Sequence, residues 1–332
     1  MTDDTPADAR DAPDTSRVKL KRTKPRTTPP SGWGAILLSL PFIAIGTFVA
    51  LAGLGVVEVN NRTFDRHDGW FAVAFGLIFA GAGTWTLTKG IRCLLRRKRR
   101  QAELAARPDE PWRADYQWDP NGAEDTPLPK AIRYLAIGIV LAALLAPFNW
   151  SVFGRDEIET VPLLIVLGFD LFVLYNLGLG GYYALRYFRY GRTRLRYDQF
   201  PNFLGDTLEA TWIPSSSIHE ADRVTFTLRC VEVVTEYTSS TSSSSRKEKY
   251  VPYRIWQSQF EFSDVNSIIA GSELPVSFLL PEDPRLSTDM FASRPRYWEV
   301  VVNAETPGID YGATFHVPVY KPPPHEDSPP PA

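Results

Sequence analysis

The sequence predicts a membrane protein of two parts, four transmembrane α-helices followed by an all-β sandwich. Three observations predict it. Charged residues are excluded from four long runs, lysine and arginine crowd one side of those runs, and from Thr193 onward the hydrophobic period changes from that of a helix to two. The bulk numbers hide this division, because 332 residues with 44% hydrophobic side chains and a formal net charge of −2 describe an ordinary globular chain.

Residues 1–30 are rich in Asp, Thr, Pro and Arg and carry too little apolar surface to offset ordering, so a disordered basic tail is expected there. Its last part holds Arg17, Lys19, Lys21, Arg22, Lys24 and Arg26, a set that signals membrane orientation and can also touch anionic lipid. A first pair of transmembrane helices is expected within residues 33–100. Trp33 to Val57 has no charge over 25 residues, against the roughly 20 that cross the hydrocarbon as a helix. That length also argues against a cleaved signal peptide. Gly69 to Thr88 is a second run of 20 residues, with Trp70 and Trp85 near its two ends as an aromatic belt would place them. Seven basic residues from Lys89 to Arg100 follow, and residues 101–130 read as a cytoplasmic loop. Its Trp112, Tyr116 and Trp118 suggest packing on the membrane interface or on the C-terminal domain.

A second helix pair is expected within residues 131–187. Tyr134 to Gly154 is free of charge, and Val161 to Tyr183 is interrupted only by Asp170. Arg186, Arg189, Arg192, Arg194 and Arg196 follow it, whereas the two opposite loops hold two and one basic residues. All the bias points one way, so an inner-membrane protein with both termini cytoplasmic is expected. Asp170 lies nine residues from the start of its run, about 13 to 14 Å at 1.5 Å per residue, near the bilayer centre. An acid there costs on the order of 2.5 to 3.5 kcal/mol to insert, so it should face other helices or water. Depth matching pairs it with Thr47 of the first run, toward which it would donate a hydrogen bond, and places Asn149 too shallow.

Residues 188–321 read as a cytoplasmic sandwich. Val224, Phe226, Leu228 and Cys230 alternate with Thr225, Thr227 and Arg229, and the same period of two runs through Val276, Phe278 and Leu280, then Trp298, Val300, Val302 and Ala304, then Tyr311, Ala313, Phe315, Val317 and Val319. Turn residues separate the runs, and about 130 residues suffice for a core. Ser239 to Ser245, all Ser and Thr, reads as a hairpin loop. Residues 322–332 read as a proline-rich disordered tail.

No motif carries chemistry. There is no glycine-rich phosphate cradle after a strand and no Gly-x-Ser-x-Gly elbow, so the sequence points away from an enzyme and from any cofactor. His67, His219, His316 and His325 have no metal-ligand spacing, and Cys93 and Cys230 lie far apart, so neither a metal site nor a disulfide framework is expected. Basic residues sit at bilayer edges, which gives no evidence for nucleic acid.

The order of four spans, a loop with Pro111-Trp112-Arg113 and Asp115, and a β-domain opening at Pro201 to Gly205 and closing with Trp298-x-Val300-x-Val302, Pro307-Gly308-x-Asp310-Tyr311 and Phe315-x-Val317-Pro318-Val319 resembles a family of uncharacterised bacterial membrane proteins carrying a domain of unknown function. The closing motif is the most specific part. Over residues 193–320, Gly205-x-x-Leu208, Val224 to Cys230, Leu274-Pro275-Val276-x-Phe278-x-Leu280-Pro281 and Tyr297-Trp298 are similar to arrestin-type sandwiches, although an immunoglobulin-like sandwich fits the strand pattern too. That likeness implies an adaptor that binds proteins and membranes. The expected function is therefore a membrane-tethered protein-interaction or scaffolding module in contact with the bilayer and another protein. The alternative is a small transporter or channel subunit using Asp170.

Overall fold

The structure, a computed structural model, describes residues 14–20, 32–57, 66–115, 118–153, 160–218, 221–238, 247–263 and 268–323. It has helices α1 (Gly32–Gly53), α2 (Arg66–Ala106), α3 (Pro111–Asp115), α4 (Leu128–Phe153) and α5 (Thr160–Tyr190). The chain divides into two compact units, one of residues 29–106 and 131–181, the other of residues 1–28, 107–130 and 182–332.

In the helical unit, three stretches among the described residues are long and apolar enough to cross a membrane: Gly32–Gly53, Leu128–Ala146 and Leu163–Tyr190. Only 28, 11 and 22% of these stretches is buried inside the protein, so side chains such as Leu37, Ile139 and Leu171 face outward and call for lipid. Four spans were expected. Gly69 to Thr88 does form helix, inside α2, but does not number among these three. Thr84, Thr86 and Thr88 each donate to a carbonyl four residues back at 2.8 Å, which satisfies the hydroxyls without a partner helix.

α1 and α2 meet along a seam that repeats every seven residues on both helices. Gly32 faces Gly90, Ser39 faces Gly83, Gly46 faces Gly76 and Gly53 faces Gly69. A Cβ on Gly46 would stand 2.6 Å from the Gly76 carbonyl oxygen, and one on Gly90 would stand 2.8 Å from that of Gly32. The backbones therefore touch, and the repeat of seven keeps them touching for the whole length of α1. α4 and α5 are packed by larger knobs, with Leu177 over Gly138 and Leu135 over Gly180.

The second unit is built on two antiparallel sheets. The strands are β1 (Val18–Lys19), β2 (Gly122–Asp125), β3 (Thr193–Tyr197), β4 (Asn202–Phe203), β5 (Thr207–Ile213), β6 (Val224–Thr238), β7 (Lys247–Phe262), β8 (Leu274–Leu279), β9 (Arg296–Ala304), β10 (Tyr311–Val317) and β11 (Val319–Tyr320). One sheet runs β1-β7-β6-β9-β10 and the other β2-β3-β5-β8, with a short parallel pair β11-β4 beside them. The two sheets pack face to face as a β-sandwich. Every inward position of the four alternating runs is buried. Aromatic contacts join the sheets across the core: the Trp212 ring meets Phe226 edge-on at 5.4 Å, and Phe260 meets Phe278 at 5.2 Å. Trp298 is fully buried, packs on Trp256 at 5.0 Å, and donates from Nε1 to the Leu286 carbonyl at 2.7 Å.

The expected boundaries change in two places. Residues 14–20 were assigned to a disordered tail, yet they lie along β7 as an edge strand. Residues 101–130 were assigned to a loop, yet they continue α2 to Ala106, form α3, and add β2 to the edge of β3. Both are edge elements, held by partner backbones rather than by an apolar pattern of their own. The loop Ser239 to Ser245, the turn at 154–159 and the tail from 324 lie outside the described residues.

Candidate functional site

The intramembrane acid finds its partner on α4. Asn149 Nδ2 donates to Asp170 Oδ1 at 3.0 Å, and both residues are half-buried. Thr47 is exposed on α1, so the expected pair with Asp170 does not form. Backbone depth alone misleads here. Asn149 lies five residues and Asp170 nine residues from the adjoining ends of their runs, a gap of about 6 Å at 1.5 Å per residue. Side chains lean toward the N-terminus of their own helix, however, and α4 and α5 run in opposite directions. Each side chain therefore leans toward the other and closes the gap. Asn149 Oδ1 is buried with no protein partner.

A second site lies where the last turns of α5 enter the sandwich. Arg186 donates to the carbonyl of Gly312, and Arg189 donates to that of Pro307 at 2.8 Å. The Tyr190 hydroxyl meets Thr306 Oγ1 at 2.6 Å and donates to the Ile309 carbonyl, while its ring stands edge-on to Tyr311 at 5.2 Å. Three side chains on one face of the helix thus grip the turn between β9 and β10 and the first residues of β10. Gly308, at φ 86°, supplies the left-handed residue this turn needs. Tyr311 is itself buried against Thr193 Oγ1 at 3.1 Å, and burial holds its hydroxyl above the usual tyrosine range.

The next three arginines are held inside the same unit. Arg192 and Arg194 reach Glu124 of β2 at 3.3 and 2.5 Å, and Arg196 makes two hydrogen bonds to Glu273 at 2.9 and 2.8 Å. All five residues counted as an orientation signal therefore also bind the sandwich. Glu273 is held below its usual range, chiefly by the hydrogen bond from Arg196.

The Pro111-Trp112-Arg113 segment docks on the closing motif. Trp112 packs edge-on against Phe203 at 6.0 Å and Tyr320 at 5.9 Å, and Trp118 Nε1 donates to the Tyr320 hydroxyl at 3.1 Å. Burial, and then the neighbouring Asp115, hold that hydroxyl well above the usual tyrosine range. The opening segment closes the same corner, with Asn202 N donating to the Pro318 carbonyl at 3.0 Å and Leu204 N to that of Tyr320 at 2.8 Å. The motif residues are thus brought together as joints that hold chain segments. Sequence reasoning left the aromatics of the 101–130 segment to the membrane interface or to the C-terminal domain, and Trp112 and Trp118 lie on the latter; it set Asn149 aside as too shallow and missed Tyr190, which carries no spacing signal.

Cys230 is fully buried and burial raises its thiol, so it is a core side chain. Cys93 is half-buried on α2. Among the described residues no group of three or more His, Cys, Asp or Glu is placed to hold a metal ion.

No protein-family model matches the chain, so the resemblance to the uncharacterised four-span family gains no support from that comparison. No curated protein matches it either. Among solved structures, the chain is similar to Spo0M, a sporulation control protein from Bacillus subtilis, with 18% identity over 39% of this chain and a TM-score of 0.23. The match spans about half of that chain, 48%, and at this score it carries no weight for fold or function.

Proposed function

We propose that this chain is a four-span inner-membrane protein with both termini cytoplasmic, whose sandwich acts as a membrane-tethered protein-interaction or scaffolding module without catalysis. The observation that carries the reading is the grip of Arg186, Arg189 and Tyr190 on the β9–β10 turn. Residues 182–190 of α5 belong to the sandwich's own unit, and these three side chains fix the last turns of the helix there. Such an attachment suits a platform that presents its loops and strand edges to a partner. The one-sided basic residues support the orientation, with Gly69 to Thr88 as the fourth span.

The test places photo-crosslinking residues one at a time at the exposed Tyr250, Ile269 and Leu279 of the full chain in cells. Adducts of one discrete mass at some positions and not others are expected. Their absence at every position, together with turnover of a substrate by the purified chain, overturns the reading. A reporter active only in the cytoplasm, fused after Arg100 or Tyr320, tests the orientation.

The Asn149–Asp170 pair favours a second reading, a small transporter or channel subunit. Asp170→Asn keeps a hydrogen-bonding group and removes the acid. If the pair is structural, the variant assembles normally and changes no flux in vesicles. A variant that assembles but loses a proton or ion flux supports the transporter.

A further inference from the structure

The free edge of β7 is occupied by the chain's own N-terminal segment, and the seat reads both faces of it. Asp14 N donates to the Gln257 carbonyl at 2.8 Å, Gln257 N returns a bond to Asp14 at 2.9 Å, and Leu20 N donates to the Pro252 carbonyl at 3.0 Å. Val18 stands opposite Arg254 and Lys19 opposite Tyr253. Side chains of an extended segment alternate between faces. On one face, Asp14 meets Arg254 at 2.5 Å and Ser16 accepts from the same guanidinium at 3.1 Å. Leu20 then packs on the small cluster of Val231, Val233, Met290 and Tyr297. On the other face, Arg17 lies over the Tyr253 ring at 4.5 Å and reaches Glu232 at 3.3 Å, and Lys19 reaches Glu236 at 2.9 Å.

The sheet is shaped for this seat. The register of β6 and β7 shifts between Cys230 and Val231, where Trp256 and Arg254 oppose consecutive residues and Ile255 is the extra one. A bulge of this kind moves every later residue of the strand to the other face. It turns Arg254 away from the core side that Trp256 occupies and toward Asp14. The ion pairs themselves are solvent-exposed, with Arg17 at 50% and Lys19 at 53%, so each contributes little to stability. What they supply is a pattern: an acid, then arginine and lysine two residues apart on the opposite face, then an apolar residue.

We infer that the β7 edge between Pro252 and Gln257 is a strand-addition site for an extended basic segment of a partner protein, and that residues 14–20 fill it in cis until such a partner displaces them. Recognition by strand addition draws affinity from the main chain and specificity from alternate side chains, which are the two sets of contacts seen here. The acidic face of Glu232 and Glu236 selects a partner with Arg or Lys at alternate positions. The inference rests on the interaction-module reading but fails separately from it.

The experiment uses the full chain in detergent and, as probe, a fluorescein-labelled peptide of residues 12–22, read by anisotropy. A tethered occupant competes at an effective concentration in the millimolar range, so the intact chain should bind the peptide at least roughly tenfold more weakly than a chain lacking residues 1–20. The intact chain carrying Arg17→Glu and Lys19→Glu opens the same site without deletion and should bind the peptide as the truncated chain does. Glu232→Gln with Glu236→Gln should weaken peptide binding to the truncated chain by roughly tenfold. A peptide with glutamate in place of Lys19 should fail to bind, and Glu236→Lys should restore it. Equal binding to intact and truncated chains, or no binding to either, overturns the inference. Crosslinked partners elsewhere on the sandwich would then leave the module reading standing alone.

Discussion

Gly46→Ala is the sharpest test of how the first helix pair is held. The added Cβ would stand 2.6 Å from the Gly76 carbonyl oxygen, where ordinary contact begins at 3.4 Å, and it also meets the Ala80 backbone. The helices must therefore part by about 1.0 Å at that level, because the Ala80 backbone nitrogen would stand only 2.4 Å from the Cβ and the obstacle is backbone on both sides. A radial gap of roughly 0.5 to 1 Å forfeits a quarter to a half of each contact, and a contact is worth about 0.1 to 0.2 kcal/mol. If on the order of forty atom pairs are affected, as for one buried leucine, the loss is about 1 to 4 kcal/mol. Alanine returns about 0.5 to 1 kcal/mol of helix preference over glycine. The net expectation is a destabilisation of roughly 2 kcal/mol, the middle of both ranges. Gly81→Ala is the control, because a Cβ there meets nothing within 4 Å, and it should be neutral or slightly stabilising. The measurement is SDS titration of the chain in mixed micelles, read by energy transfer between labels at the exposed Trp33 and Ile91, next to the Gly32–Gly90 contact. A Gly46→Ala variant as silent as Gly81→Ala would refute the idea that backbone contact holds the pair.

Trp298→Ala removes the largest inward side chain of β9 and its hydrogen bond to Leu286, so thermal unfolding of the sandwich followed by near-ultraviolet circular dichroism should show a loss of about 3 to 5 kcal/mol. A change of a few tenths would place that side chain outside the core. Tyr190→Phe keeps the ring on Tyr311 but deprives Thr306 and Ile309 of the hydroxyl, and should cost about 1 to 3 kcal/mol in the same assay. Protection of residues 14–20 against hydrogen exchange, measured relative to the unstructured chain at each pH, should fall in acid. The carboxyl of Glu236 is held below its ordinary value of 4.5, first by the hydrogen bond from Tyr253 and then by that from Lys19, with further help from the charges of Lys19 and Lys249. A lowered folded value contributes stability above 4.5 that is lost as pH falls through it, so protection should hold at neutral pH and fade below about 4.5. Protection that is flat with pH would show that the Lys19–Glu236 contact contributes nothing.

The inner strands were legible because a half-buried strand must alternate. Val224 to Cys230, Trp298 to Ala304 and Tyr311 to Val319 all face the core as their spacing demands. β1 and β2 were not legible. Val18-Lys19 and Gly122 to Asp125 are edge strands, and their partners' backbones, which no local pattern reveals, hold them. The partner of Asp170 was misassigned because depth was counted along the backbone, whereas Asn149 and Asp170 meet through the opposite lean of their side chains. The seam of Gly32, Gly46 and Gly53 against Gly69, Gly76, Gly83 and Gly90 stood open in the sequence as a repeat of seven. It was passed over because hydropathy counts glycine as nearly neutral, while packing counts it as decisive.

The seating of residues 14–20 also has a schedule. Asp14 and its partner Arg254 lie 240 residues apart, and a ribosome adds roughly 5 to 20 residues per second. For some 12 to 48 seconds of synthesis the segment exists and its edge strand does not. Throughout that interval Arg17, Lys19 and Leu20 are open to whatever stands near the nascent chain, and the seat is closed only by the arrival of β7.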